Sequence, residues 1–218
     1  MPTVVQSFTV AGPFAENCFV CHSQGEAVLI DPGCADARER QLVLDYVQRH
    51  GLTMRHLLLT HAHLDHIVGC AFFADHYGLG WQMHPDDAPL LRHAEQQAAL
   101  FQFPIDPPPD PTGWLREGDS VTFGDATWRV LLAPGHSPGS ICFYQEATTE
   151  AGGFVIAGDV LFNGSIGRTD LWQGDLPTLL RSIETKLMPL PDETVVYCGH
   201  GPATTIGRER RTNPFLTG

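Results

Sequence analysis

The sequence predicts an α+β fold, a four-layer αββα sandwich in which two mixed β-sheets carry helices on their outer faces. Three observations lead there. Short β-rich runs and amphipathic helical stretches are mixed in each half of the chain. A segment with five prolines in eight residues, 104–111, lies between the halves and favours an extended polyproline conformation. Candidate metal ligands stand directly after apolar strands in both halves. At 218 residues the chain is long enough to bury one generous core without disulfide support. A single domain over residues 1–218 is therefore expected, with halves of about 1–103 and 112–218 joined by the proline segment.

In the first half, strands are predicted at 3–10, 17–22 and 27–30, the last closing on Asp31-Pro-Gly33, a turn signal. Asp36 is placed to cap a helix, with Glu39 three residues on. Leu42, Val43, Tyr46 and Val47 give that helix its apolar stripe, and Gly51 stops it. Residues 56–60, containing Leu57, Leu58 and Leu59, read as a buried strand running straight into His61. A helix over about 65–77, a short strand at 81–84 and a helix over 85–103 follow. In the second half, strands are expected at 120–123, 127–132, 140–144, 154–157 and 194–198. One long helix, 176–187, follows Asp175, shows Leu176, Leu179, Leu180, Ile183 and Leu187, and ends before Pro189 and Pro191.

Composition narrows the partners. The formal charge of −12, with twelve Arg and the single Lys186, argues against a nucleic-acid backbone, which demands a basic surface. No stretch approaches the roughly 18 apolar residues of a membrane span. The first eight residues lack a basic start followed by an apolar block, so no secretory signal is visible and a cytoplasmic location is expected. The six cysteines include one CxxC, Cys18/Cys21, within a predicted strand; without a second CxxC they read as reduced structural thiols.

The most informative stretch is Thr60-His-Ala-His-Leu-Asp-His66. Three imidazoles and a carboxylate crowd the end of a buried strand, which is costly unless a cation satisfies them; neutral imidazole and carboxylate suit zinc, iron or manganese. Period two lets His61 and His63 point the same way, while Asp65 and His66 begin a helix and face a second position. Three later strands repeat the pattern, each ending near Gly followed by a ligand type: His136 in Gly135-His-Ser-Pro-Gly139, Asp159 in Gly158-Asp, and His200 in Gly199-His. His22, His50, His56, His76, His84 and His93 lack such neighbours and are read as structural.

The series His-x-His-x-Asp-His, Gly-His-Ser-Pro-Gly, Gly-Asp and Gly-His resembles the metallo-β-lactamase superfamily over essentially the whole chain. That resemblance implies two divalent metal ions, zinc first and iron or manganese as alternatives. It implies that His61, His63 and His136 hold one ion, that Asp65, His66 and His200 hold the other, and that Asp159 bridges them. Asp65 and Asp159 would be the catalytic carboxylates, working with a metal-bridging hydroxide. Within the superfamily the chain resembles the short glyoxalase II-like group, thioester hydrolases that act on S-D-lactoylglutathione, and also the persulfide dioxygenases, which use one iron. Gly167-Arg-Thr-Asp170 occurs in both groups, whereas glyoxalase II proper has Lys at the place of Arg168 and Tyr at the place of Asp170. The tail from Gly199, with Glu209, Arg210, Asn213, Pro214 and Phe215, looks more like the short glyoxalase II group. The expected partner is a small thioester, glutathione-linked, with Arg168 binding its carboxylate or else held in a structural ion pair with Asp170 or another acid, and no nucleic acid or membrane. A metal-bound scaffold or sensor without turnover is the non-enzymatic alternative. Gly135-His-Ser-Pro-Gly139 also matches the G-x-S-x-G nucleophile elbow, with Asp159 and His200 in triad order. The oxyanion hole of that elbow needs the N–H after Ser137, and Pro138 has none.

Overall fold

The computed structural model describes residues 3–149 and 152–217. The chain forms two compact units. The first runs through Leu115 and includes Thr122–Ala126; the second comprises Arg116–Val121 and the chain from Thr127 onward.

The first unit is built on a six-stranded sheet in sequential order: β1 (Val4–Val10), β2 (Glu16–Ser23), β3 (Glu26–Ile30), β4 (Thr53–Leu58), β5 (Trp81–Met83) and β6 (Gly113–Trp114). Its character changes with its connections. β2 and β3 pair antiparallel through Gln24-Gly25, both with positive φ, the twist that a two-residue hairpin requires. From β3 onward every pair is parallel, because helical crossovers separate the strands. Helix α1 (Ala37–Arg49) makes the first crossover, and Asp36 caps it by accepting the Glu39 N–H at 2.8 Å. Val43 and Val47 are its buried face; Leu42, expected on the stripe, is 46% exposed because the sheet-facing row is the i, i+4 pair beside it. Val20, Leu29, Leu57, Phe73 and Trp81 lie in the core of this unit.

The helix expected over 65–77 is two helices, α2 (Leu64–Ile67) and α3 (Cys70–Tyr77). They part near Gly69, whose N–H donates to the Pro32 carbonyl at 2.7 Å and whose missing Cβ leaves room for that oxygen. The helix expected over 85–103 is likewise divided, into a 3-10 turn (Pro85–Asp87), α4 (Ala88–Arg92) and α5 (Ala94–Phe101). After the proline segment the chain returns to the first sheet as β6, so the division between units falls after Leu115 and not within 104–111.

The other six-stranded sheet runs in the order β14-β13-β10-β9-β8-β7. Its strands are β7 (Ser120–Phe123), β8 (Ala126–Leu132), β9 (Ile141–Gln145), β10 (Phe154–Gly158), β13 (Val195–Cys198) and β14 (Thr204–Thr205); β11 (Leu161–Phe162) and β12 (Ser165–Ile166) form a separate hairpin. β10 and β13 are parallel, joined through α6 (Leu176–Ser182), which Asp175 caps at the Thr178 N–H. The expected helix over 176–187 continues beyond Ser182 as a π-helical turn, Ile183–Leu187; Leu179, Ile183 and Leu187 are buried, while Leu176 at the first turn is exposed. Helix α7 (Ile206–Thr212), capped by Thr205, was not expected from the sequence, nor were β6, the β11–β12 hairpin and β14. All six cysteines are free and buried. Among the described residues, no helix is long and apolar enough to cross a membrane.

Candidate metal centre

Each unit gathers its own ligand-type residues at strand ends. In the first unit, β4 delivers His61 and His63 just past its buried Leu57–Leu59 run, and α2 presents Asp65 and His66. The rings of His61 and His63 lie 4.9 Å apart and those of His61 and His66 4.1 Å apart, all three side chains buried. Nε2 of His66 faces Asp65 Oδ2 at 3.9 Å.

Protons in this cluster can be placed from its hydrogen bonds. Asp31, at the end of β3, accepts the Thr60 N–H at 2.7 Å, the Thr60 hydroxyl at 2.6 Å, and faces His66 Nδ1 at 3.1 Å. A carboxylate only accepts, so the Thr60 hydroxyl spends its one proton on Asp31. It must then accept from His61 Nδ1, 3.0 Å away. Both His61 and His66 therefore carry a proton on Nδ1, and as neutral imidazoles they hold their lone pairs on Nε2. This is the arrangement in which outer carboxylates orient metal-ligating imidazoles. The turn between His61 and His63 is pinned as well: Asp87 accepts the Ala62 N–H at 3.0 Å, and Gln97 donates to the Ala62 carbonyl at 3.1 Å.

A further acid lies beneath. Glu16, at the start of β2, is fully buried with Oε1 3.6 Å from His66 Nδ1. Burial pushes its carboxyl well above the usual carboxylate range, and His66 opposes that shift. Asp31, Glu16, Asp87 and Gln97 were not singled out as site residues from the sequence. One signal was present, an acid at the end of the wholly apolar Ala27–Ile30 strand.

In the second unit, His136, Asp159 and His200 follow β8, β10 and β13. His136 Nε2 and His200 Nε2 each lie 3.5 Å from the same oxygen, Asp159 Oδ2. His136 Nδ1 donates to the Arg168 carbonyl at 2.7 Å, which again leaves Nε2 as the lone-pair nitrogen. Gly167 permits that bond, because a Cβ there would collide with the Asp159 carbonyl and stand 3.0 Å from His136 Nδ1.

Helix α6 fixes the His136 turn from behind. Ser182 donates to the Pro134 carbonyl at 2.7 Å and the Asp175 N–H to the Gly135 carbonyl at 2.8 Å. Gly135 has φ +130°, and a Cβ would run into the Leu179 backbone. Gly135→Ala is expected to destabilise the protein by about 1–3 kcal/mol or more through strain and overpacking, read as a lowered melting temperature; an unchanged melt would show that the turn tolerates a side chain.

Ser137, the rival nucleophile, is fully buried and meets Ser140 Oγ at 2.8 Å, while its supposed base, His200, faces Asp159. The six histidines read as structural fall outside every His/Cys/Asp/Glu group able to hold a cation among the described residues. They have ordinary roles: His22 bonds Tyr46 at 3.0 Å, His56 the Thr122 carbonyl at 3.1 Å, and His76 stacks on Phe72.

The donor set fits a divalent cation: imidazoles that in neutral form hold their lone pair on Nε2, as the hydrogen bonds of His61, His66 and His136 dictate, with carboxylates beside them, are the ligands that zinc, iron and manganese take. Arg168, expected to bind a substrate carboxylate or to form a structural ion pair, has an ion-pair partner in the structure. Its Nε and Nη2 both bond Asp170, each at 2.7 Å, and the pair is more than half exposed. The guanidinium holds the Asp170 carboxyl down at about 2. The pair therefore persists from neutral pH through the ordinary carboxylate range, failing only as pH falls through about 2.

Residues 11–200 match the family model of the metallo-beta-lactamase superfamily. The chain is 37% identical over 206 residues to the hydroxyacylglutathione hydrolase GloC of Haemophilus influenzae, covering 93% of each chain. Among solved structures it is similar to TTHA1623 in a di-iron-bound form, with 42% identity, a TM-score of 0.84, and 97% of this chain and 100% of that one covered. It is also similar to the BLEG-1 B3 metallo-beta-lactamase, with 38% identity, a TM-score of 0.87, and 99% and 100% coverage.

Proposed function

Because the chain belongs to the metallo-β-lactamase superfamily and has its fold, we propose that it is a metal-dependent thioester hydrolase of the glyoxalase II type, cleaving S-D-lactoylglutathione or a related thioester. His61, His63 and His136 would hold one divalent cation, Asp65, His66 and His200 another, with Asp159 shared. The observation that carries the shared role is the single oxygen Asp159 Oδ2 at 3.5 Å from both His136 Nε2 and His200 Nε2. Two cations held there would supply a Lewis acid for the thioester carbonyl and water acidified toward a pKa of ~7. The chain's own residues do the rest: Asp31 and Thr60 fix the tautomers of His66 and His61, and the Arg168 carbonyl fixes that of His136. The choice of a thioester is supported by likeness to the hydroxyacylglutathione hydrolase of H. influenzae over 93% of both chains.

The test is turnover of S-D-lactoylglutathione by the purified protein, before and after treatment with a chelator, beside a β-lactam in parallel. Thioester turnover that the chelator abolishes supports the reading. Turnover of the β-lactam alone, or bound metal with no turnover of either, contradicts it.

Arg168 is proposed to hold a carboxylate of the thiol carrier. Nε and one Nη2 hydrogen serve Asp170, which leaves the Nη1–Nη2 edge of the guanidinium for a second planar partner. Arg168→Ala is expected to raise KM roughly tenfold to a hundredfold, the ~1.5–3 kcal/mol of a charge-assisted bond, with kcat little changed. A carrier without that carboxylate should be indifferent. Equal loss on both substrates would confine Arg168 to its pair with Asp170.

A further inference from the structure

Glu16 is the least explained polar residue of the first unit. It opens β2 fully buried, and neither carboxyl oxygen has a hydrogen-bond partner among the described residues. A buried polar group left so costs about 1–3 kcal/mol, and a leucine or methionine would fill the same volume without that cost. Space is also kept for it. Gly33 lies against Glu16 Oε2 and the Asp65 carbonyl, and any Cβ at position 33 would strike both. The carboxyl approaches one imidazole nitrogen: Oε1 is 3.6 Å from His66 Nδ1, which Asp31 Oδ2 already holds at 3.1 Å. Two buried acids thus converge on the side of His66 that faces away from Asp65, since His66 turns Nε2 toward Asp65 Oδ2.

We propose that Glu16 is a positioning residue for the metal centre: with Asp31 it forms a two-carboxyl seat behind His66, orienting the ring and favouring a cation at the position that His66 serves. A second carboxyl packed beside Nδ1 restricts how the His66 ring can turn, and a ring held in place keeps Nε2 aimed at the cation's position. The inference rests on His66 being a metal ligand, as in the proposed function, but not on the substrate.

Glu16→Gln tests it, since it keeps the shape and removes the acid. Zinc binding to wild type and variant is measured by competition with a chromophoric chelator, and the melting temperature of each metal-free protein is recorded. The expected result is that the second zinc equivalent binds about tenfold to a hundredfold more weakly, with no fall in the metal-free melting temperature. Cobalt substitution gives a spectroscopic check, with the d–d bands of the second equivalent altered in the variant. Equal zinc affinity in both proteins overturns the inference, even where thioester turnover is found. Weaker binding accompanied by a lower metal-free melting temperature also overturns it, because the effect is then general. Weaker zinc binding in a protein whose wild type cleaves no thioester supports this inference and removes the thioesterase reading.

Discussion

Replacing Asp159 with alanine is expected to strip the protein of at least one metal equivalent and to lower thioester turnover by about 10³-fold or more. The size follows from the several kcal/mol that a second cation contributes to charge stabilisation, each ~1.4 kcal/mol being tenfold in rate. Structurally the change removes the one oxygen that both His136 and His200 face at 3.5 Å. Because the main-chain carbonyl of Asp159 packs against Gly167, the backbone contact survives the substitution, and the fold should too. Elemental analysis with a melting curve checks this. An Asp159→Ala protein with undiminished metal content would remove the shared-ligand role.

The second large effect is expected at a residue that touches no proposed cation. Asp31→Ala leaves three buried donors without their acceptor: the Thr60 N–H, the Thr60 hydroxyl and His66 Nδ1. Breaking such a buried network costs about 3–5 kcal/mol. At roughly 2–4 °C per kcal/mol for a chain of this size, the melting temperature should fall by on the order of 10 °C. Metal affinity should fall with it, because His61 loses its tautomer lock through Thr60. A melt within about 2 °C of wild type would show that water or Glu16 takes over the acceptor role.

These two residues also mark what the sequence reveals and what it hides. Asp159 was legible because a ligand-type side chain after Gly at the end of an apolar strand belongs to a repeated pattern that also includes His136 and His200. The His61–His66 cluster was legible for a chemical reason, since so many imidazoles at a strand end require something to satisfy them. Asp31 looked like a turn residue of Asp-Pro-Gly, and no local pattern marked Glu16 or Asp87. Their roles arise from contacts across 29 residues to Thr60, 50 to His66 and 25 to Ala62, which no local pattern encodes. The same holds for the helix break near Gly69, caused by the Pro32 carbonyl, and for the π turn that continues α6. Arg168 was read as holding a substrate carboxylate; its guanidinium pairs with Asp170, two positions along the chain.

The proposed function has two cations per chain hydrolysing a thioester without oxygen. It is tested most directly by one paired measurement: metal content per chain of the purified protein, with turnover of S-D-lactoylglutathione followed under anaerobic conditions. Two divalent metal equivalents and full hydrolysis in the absence of oxygen are the predicted result. A single iron per chain, with no anaerobic turnover and oxygen consumed only when glutathione persulfide is supplied, would contradict it and identify a dioxygenase instead.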